Sequence, residues 1–323
     1  VQTCALPISV NVYESLLTIE PENFFALTNL GSIYFCKYDF KKAVNYYSRA
    51  AGLGVDNVSV YYNLGNAFAE LGEFKQAMAN YIKALNLDKQ NYKVYTAIGM
   101  LYQDYQNYDE ARRYYEKALR LDDSIVDNYI NLAFVLMKKN QYLDAARLFE
   151  KAGSMYPDDN KLILYTANAY SAGRDYLAAN KLFEKSISSD NNYYQAYLCY
   201  AISLFEQDNT EKAIELYNNA ISIRPDLSNA YMLLGNLYCS LQKYDEAVEH
   251  YKKVIEIEPS NSNAYTLLGN TYAMLKDLRT AISMYKQAID IDTDNDELKL
   301  IYIEIIQEYV NSKNEEDDSQ SAA

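Results

Sequence analysis

The side chains that most often do chemistry are scarce in this chain of 323 residues. It has one histidine, His250, and four cysteines, Cys4, Cys36, Cys199 and Cys239, with no Cys-x-x-Cys pair. A zinc site needs Cys, His or carboxylate ligands gathered at short spacing, so no metal is expected here. There is no glycine-rich phosphate loop, and no nucleophile recurs beside a base and an orienting group. The sequence therefore predicts no catalytic residue and no cofactor, and His250 reads as a packing or surface histidine. What does recur is the primary amide. Asn29, Asn63 and Asn131 form one set, and Asn66, Asn168, Asn236 and Asn270 a second, each set spaced by 34 residues or a multiple of it. An amide both donates and accepts hydrogen bonds, so rows of Asn can grip the backbone of an extended peptide whatever its side chains.

Such rows need a scaffold that repeats every 34 residues, and the whole chain supplies one. The segment YYNLGNAFAELGEFKQAMANYIKAL at Tyr61 returns in altered form at Tyr231 and Tyr265. Eight units without insertion or deletion begin at Phe24, Val58, Tyr92, Val126, Asn160, Tyr194, Ser228 and Ser262, and the last ends at Asn295. Position 8 of the unit is always small: Gly31, Gly65, Gly99, Ala133, Ala167, Ala201, Gly235 and Gly269. Position 20 is always Ala, from Ala43 to Ala281, and position 24 is always Tyr or Phe, from Tyr47 to Tyr285. Short side chains are required where two helices cross closely, so positions 8 and 20 mark a contact inside a helical hairpin. The remaining large apolar positions follow the 3.6-residue period of two amphipathic helices per unit. Pro157, Pro225 and Pro259 fall at position 32, where a proline stops one helix before the next begins.

The composition agrees. Only 10 Gly and 5 Pro punctuate the chain, and half of its residues are apolar. The net charge of −14 weighs against a nucleic-acid partner, which needs clustered Lys and Arg. No apolar run is long enough to cross a bilayer, so no direct membrane insertion is expected. The isolated cysteines suit the cytoplasm.

The pattern resembles the tetratricopeptide repeat, whose period is 34 residues and whose small and aromatic positions are matched here. The resemblance covers nearly the whole chain. It departs from the family in having Tyr in place of Trp at position 4 and in keeping the position-32 proline in three of the eight units. It implies an all-α, right-handed α-solenoid of stacked helical hairpins, a superhelix whose first helices line a concave groove. The groove then takes a peptide or helical segment of a partner protein, and the chain is a scaffold or adaptor. The alternative is that it forms the regulatory or substrate-recruiting region of a larger enzyme whose catalytic domain lies upstream.

In the family, positions 2, 5, 6, 9, 12 and 13 face the ligand. Members that bind chaperones clamp a terminal carboxylate with cations there. Position 5 of this chain is Thr28, Tyr62, Thr96, Ile130, Leu164, Leu198, Met232 and Thr266, without one cation, so no carboxylate-clamp chaperone binding is expected. The Asn sets at positions 6 and 9 resemble the asparagine ladder of some peptide-binding members. From the third to the seventh unit the same surface turns apolar, with Met100, Phe134, Leu164, Leu198, Ile202, Phe205 and Met232 expected to form one exposed strip.

The ends extend the pattern. Residues 1–9 read as an adaptor-like, non-native leader, and residues 10–23 as the second helix of a truncated repeat. After the eight units at 24–295, residues 296–310 read as a capping helix, because Ile303 fills the small position. Residues 311–323, acidic and without an apolar anchor, are expected to be a disordered tail.

Overall fold

A 34-residue period carrying two helical stripes dictates pairs of helices, and the computed structural model consists of them. It describes residues 10–321, with side chains through residue 314, so the expected leader at 1–9 lies outside the described residues. The described residues form eighteen α-helices and no strand. The first helices of the units are α2 (Phe24–Cys36), α4 (Val58–Glu70), α6 (Tyr92–Asp104), α8 (Val126–Lys138), α10 (Asn160–Ala172), α12 (Tyr194–Glu206), α14 (Ser228–Ser240) and α16 (Ser262–Met274). Each starts on the first residue of its repeat. The second helices are α3 (Phe40–Gly52), α5 (Phe74–Leu87), α7 (Tyr108–Leu121), α9 (Tyr142–Met155), α11 (Tyr176–Ser189), α13 (Thr210–Ile223), α15 (Tyr244–Ile257) and α17 (Leu278–Ile291). α1 (Val10–Ile19) precedes them and α18 (Asp296–Ser321) follows. The chain has two compact units, divided between Ala169 and Tyr170 inside α10, and each is an all-α solenoid of stacked hairpins.

Burial follows the small positions. All eight alanines at position 20 are wholly buried, and so are the residues at position 27: Ala50, Ala84, Ala118, Ala152, Ser186, Ala220, Val254 and Ala288. The second small row packs each second helix against the first helix of the next repeat. Between repeats 2 and 3, for example, Ala77, Tyr81 and Ala84 of α5 share a core with Val94, Ala97, Ile98 and Leu101 of α6. The same arrangement closes the second unit, where Ala281, Tyr285 and Ala288 of α17 meet Leu298 of α18.

α18 departs from expectation. The helix continues to Ser321 where a disordered tail was expected from residue 311. Between Val310 and Ser321 there is no Gly or Pro to break it, and Lys and Glu have good helix propensity, so helix continues without an apolar anchor.

The turn inside each hairpin is built the same way eight times. Position 15 adopts a left-handed backbone in Tyr38, Gln106, Asn140, Arg174, Asp208, Gln242 and Lys276, with φ between 57° and 62°, and in Gly72 at 73°. The next residue's N–H then reaches back to the carbonyl of position 11, as in Asp39 to Tyr34, Asn107 to Tyr102 and Asp277 to Tyr272, each 2.9 Å. This is the Schellman closure of a helix, which glycine enters without steric cost. Only repeat 2 uses glycine for it. Gln106→Gly should therefore raise stability by about 1 kcal/mol, less the extra freedom glycine adds to the unfolded chain. Gly72→Ala should lower stability by about 1 kcal/mol, although a methyl group there meets nothing within 4 Å. Thermal melts of the two variants check the pair, and shifts of the reverse sign would refute the assignment of the strain to position 15.

Candidate functional site

The surface of the first helices is organised from beneath by the aromatic ring at position 24. A methyl group added to Gly31, Gly65, Gly99 or Gly235 would lie 2.5–2.8 Å from the nearest atom of Tyr47, Tyr81, Tyr115 or Tyr251. The ring therefore lies directly on the glycine. Its hydroxyl continues outward to the first helix of the same repeat. Tyr81 donates to Asn66 Oδ1 at 2.8 Å, Tyr251 to Asn236 Oδ1 at 2.7 Å and Tyr285 to Asn270 Oδ1 at 2.5 Å. Tyr47 meets Ser32 Oγ at 2.9 Å, and Tyr115, whose repeat has Met100 at position 9, donates instead to Gln103 Oε1 at 2.9 Å.

The tether explains which small residue occupies position 8. The five repeats with a tethered hydroxyl all have Gly there. Phe149 and Phe183 have no hydroxyl, and their repeats carry Ala133 and Ala167. Tyr217 interacts electrostatically with Cys199, and its repeat carries Ala201. A ring held at both ends cannot shift to admit a methyl group, whereas an untethered one can.

The asparagine row is thus anchored to the scaffold. In Asn66, Asn236 and Asn270 the carboxamide oxygen accepts from tyrosine, which leaves the NH2 group to donate elsewhere; Asn236 and Asn270 are exposed. The position-6 set behaves otherwise. Asn29 turns its Nδ2 back to the Phe25 carbonyl of its own helix at 2.7 Å, and Asn63 hydrogen-bonds Tyr47. Asn131 and Asn168 are half-buried.

The expected apolar strip is divided by burial. Met100 is 51% exposed, and Phe134, Ile202 and Phe205 are each close to 38%. Phe134 leans edge-on against Phe149 and Tyr165, with ring centroids 5.2 and 5.1 Å away. Met232 is half-buried beside Tyr251 and Val248. Leu164 and Leu198 are not on the surface: they are 4% and 8% exposed, and the expectation that they line a strip is corrected to core positions. Position 5 lies at the border of the helix's apolar stripe, and a leucine there turns into the packing where Thr28, Thr96 and Thr266 of other repeats stay half-buried.

One concave feature stands out in the second unit. A pocket of about 290 Å³ is bounded by Asn236 and Cys239 of α14, Tyr244 and Tyr251 of α15, and Leu267, Asn270, Thr271 and Met274 of α16. Its polar floor is connected: Cys239 Sγ lies 3.4 Å from Thr271 Oγ1 and 3.6 Å from the Tyr251 hydroxyl. Met274, 63% exposed, stands at its rim. No acid or cation lines it. Cys239, Leu267 and Met274 occupy positions 12, 6 and 13, which the repeat register places on the ligand face, whereas Tyr244 comes from a second helix and carries no such signal. Elsewhere, His250 is half-buried and stacked flat on Tyr238 at 5.3 Å, and burial holds its pKa below the ordinary histidine value. Among the described residues no group of three or more His, Cys, Asp or Glu could hold a metal, and no helix is long and apolar enough to cross a membrane.

A family model described as TPR repeat matches residues 65–105, 202–239 and 235–276, and two described as tetratricopeptide repeat match 92–125 and 262–295. The last two ranges are repeats 3 and 8 of the register above. The chain is a tetratricopeptide repeat protein. Solved structures of tetratricopeptide repeat proteins resemble it as well. YrrB, described as a TPR protein with an unusual peptide-binding site, is 26% identical, with 57% of this chain and 95% of YrrB covered and a TM-score of 0.50. The C-terminal part of a TPR repeat-containing protein from Cytophaga hutchinsonii is 18% identical over 74% of this chain and 98% of its own, with a TM-score of 0.60. A tetratricopeptide repeat protein from Parabacteroides merdae is 17% identical over 81% and 99%, with a TM-score of 0.58. No curated protein matches the chain at the level of sequence. The repeats and the similarity to a peptide-binding member give this tetratricopeptide repeat protein a role in protein interaction.

The buried tyrosines also set the array's response to alkali. Burial raises the pKa of Tyr47, Tyr81, Tyr115, Tyr251 and Tyr285 and pushes Tyr217 up to about 12. A phenol ionises near pH 10 when unfolded. Because the folded values are higher, stability is fully present below about pH 10 and is lost as pH rises through the folded values, since the unfolded chain then releases protons the native state keeps. A titration should show loss of helix and tyrosinate absorbance from these residues rising together above about pH 10. Ionisation of the full tyrosine complement with the helix signal intact would contradict the buried, tethered arrangement.

Proposed function

We propose that this protein binds an extended segment of a partner protein across its first helices, with an uncharged side chain seated in the pocket between repeats 7 and 8. The observation that carries the reading is the pocket itself. Its lining is neutral, two exposed amides flank it, and tyrosine holds each amide oxygen so that the NH2 groups are available to peptide carbonyls. Donors fixed in advance cost less to order on binding, and an apolar anchor in a neutral pocket supplies the contact area. The 26% identical YrrB, described by its peptide-binding site, supports the same kind of ligand. Repeat arrays of this family are typically non-catalytic, which favours a scaffold or adaptor over an enzyme. The net charge of −14 favours a protein over a nucleic-acid partner.

The test is selection of peptides from a random displayed library on the full chain, followed by affinity measurement with wild type and Met274→Glu. Selected peptides should share an apolar residue. The substitution, at an exposed rim position, should weaken them by about tenfold or more, equivalent to roughly 1.4 kcal/mol, with the melting temperature unchanged. Equal affinity for the variant would reject the pocket as the anchor site.

A further inference from the structure

α18 is apolar on two sides. One side packs on α17 through buried Leu298 and the half-buried Ile301, Tyr302 and Ile305. The other leaves Leu300 62%, Ile303 55% and Val310 48% exposed, the largest cluster of bare aliphatic side chains on one helix of the second unit. In the repeat register Ile303 occupies position 8, the position each first helix presents to its own second helix. A second helix of the usual kind does not fit here. The ring at position 24 packs against position 8, which holds nothing larger than Ala in any of the eight repeats, and position 8 of α18 is Ile303.

The spacing on this face is that of a different partner. Leu300, Ile303, Gln307 and Val310 alternate by three and four residues, the a and d seam of a two-stranded coiled coil with one polar residue at an a position. The flanking charges choose the orientation. In a parallel, in-register pair Lys299 of one strand faces Glu304 of the other, twice by symmetry, and the two Gln307 amides meet and bond. An antiparallel pair sets Lys299 against Lys313 and Glu304 against Glu304. Within its own helix Lys299 makes an exposed bridge to Asp296, a kind worth little.

We propose that a second copy of this chain docks on α18, making a parallel, in-register coiled coil along Leu300, Ile303, Gln307 and Val310. The seam is about two heptads long, so association is concentration-dependent rather than obligate. The dimer would hold two arrays side by side and present two grooves to one partner, which raises avidity without any new contact to the ligand.

Sedimentation of the full chain over a concentration series tests this. The mass of wild type should rise from the monomer toward twice that value. Leu300→Asp with Ile303→Asp should weaken dimerisation by about tenfold or more while leaving the helix signal unchanged, because both side chains are exposed. Lys299→Glu should also weaken it, and Lys299→Glu combined with Glu304→Lys should restore it; this pair tests the proposal independently of any effect of the first variant on folding. A wild type that stays monomeric at every concentration overturns the proposal. So does a dimer insensitive to the aspartates, or one that Lys299→Glu strengthens, the signature of antiparallel pairing.

Discussion

The structure depends on an aromatic ring resting on a residue with little or no side chain. In each hairpin the second helix offers a buried Tyr or Phe at position 24, and the first helix yields to it at position 8. The contact sets how closely the two helices approach, and alanines at positions 20 and 27 let the neighbouring crossings follow at the same short distance. Repetition matters because a single hairpin has too small a core to fold, so each buries its outer face on the next.

The same ring connects packing to the surface of the first helices. In five repeats it is a tyrosine whose hydroxyl hydrogen-bonds a Ser, Asn or Gln of the first helix. An asparagine held through its oxygen presents its donors in one direction, so rigidity of the core becomes orientation of the amide. The array carries this device at both ends, at Asn66 and at Asn236 and Asn270, while repeats 3, 4 and 6 replace the amide with Met100, Phe134 and Ile202. The first helices therefore carry polar donors in some repeats and apolar side chains in others.

Much of this was legible in the sequence because the period is strict. The eight first helices begin at the residues where the repeat register begins, and the small and aromatic positions are buried as the pattern implies. What escaped detection has physical reasons. The row at position 27 is hard to see in the sequence because Ser186 and Val254 interrupt its alanines. Leu164 and Leu198 read as surface residues in the sequence because a border position can turn either way, and only packing decides. The left-handed turn at position 15 was hidden because seven of its eight residues are not glycine. The bonds from tyrosine to asparagine are invisible in the sequence because each joins residues fifteen apart on different helices.

The central claim is that a tethered ring requires glycine at position 8, and a double-mutant cycle on Gly65 and Tyr81 tests it most directly. Gly65→Ala is measured with Tyr81 present and again with Tyr81→Phe, which removes the bond to Asn66 and recreates the Ala–Phe pair of repeat 4. The helix-propensity gain of alanine is common to both arms and cancels. The account predicts that Gly65→Ala costs about 1 kcal/mol or more beyond its cost in the Phe background, within the range of overpacking penalties. Strict additivity, with the same cost whether or not the hydroxyl is present, would contradict it.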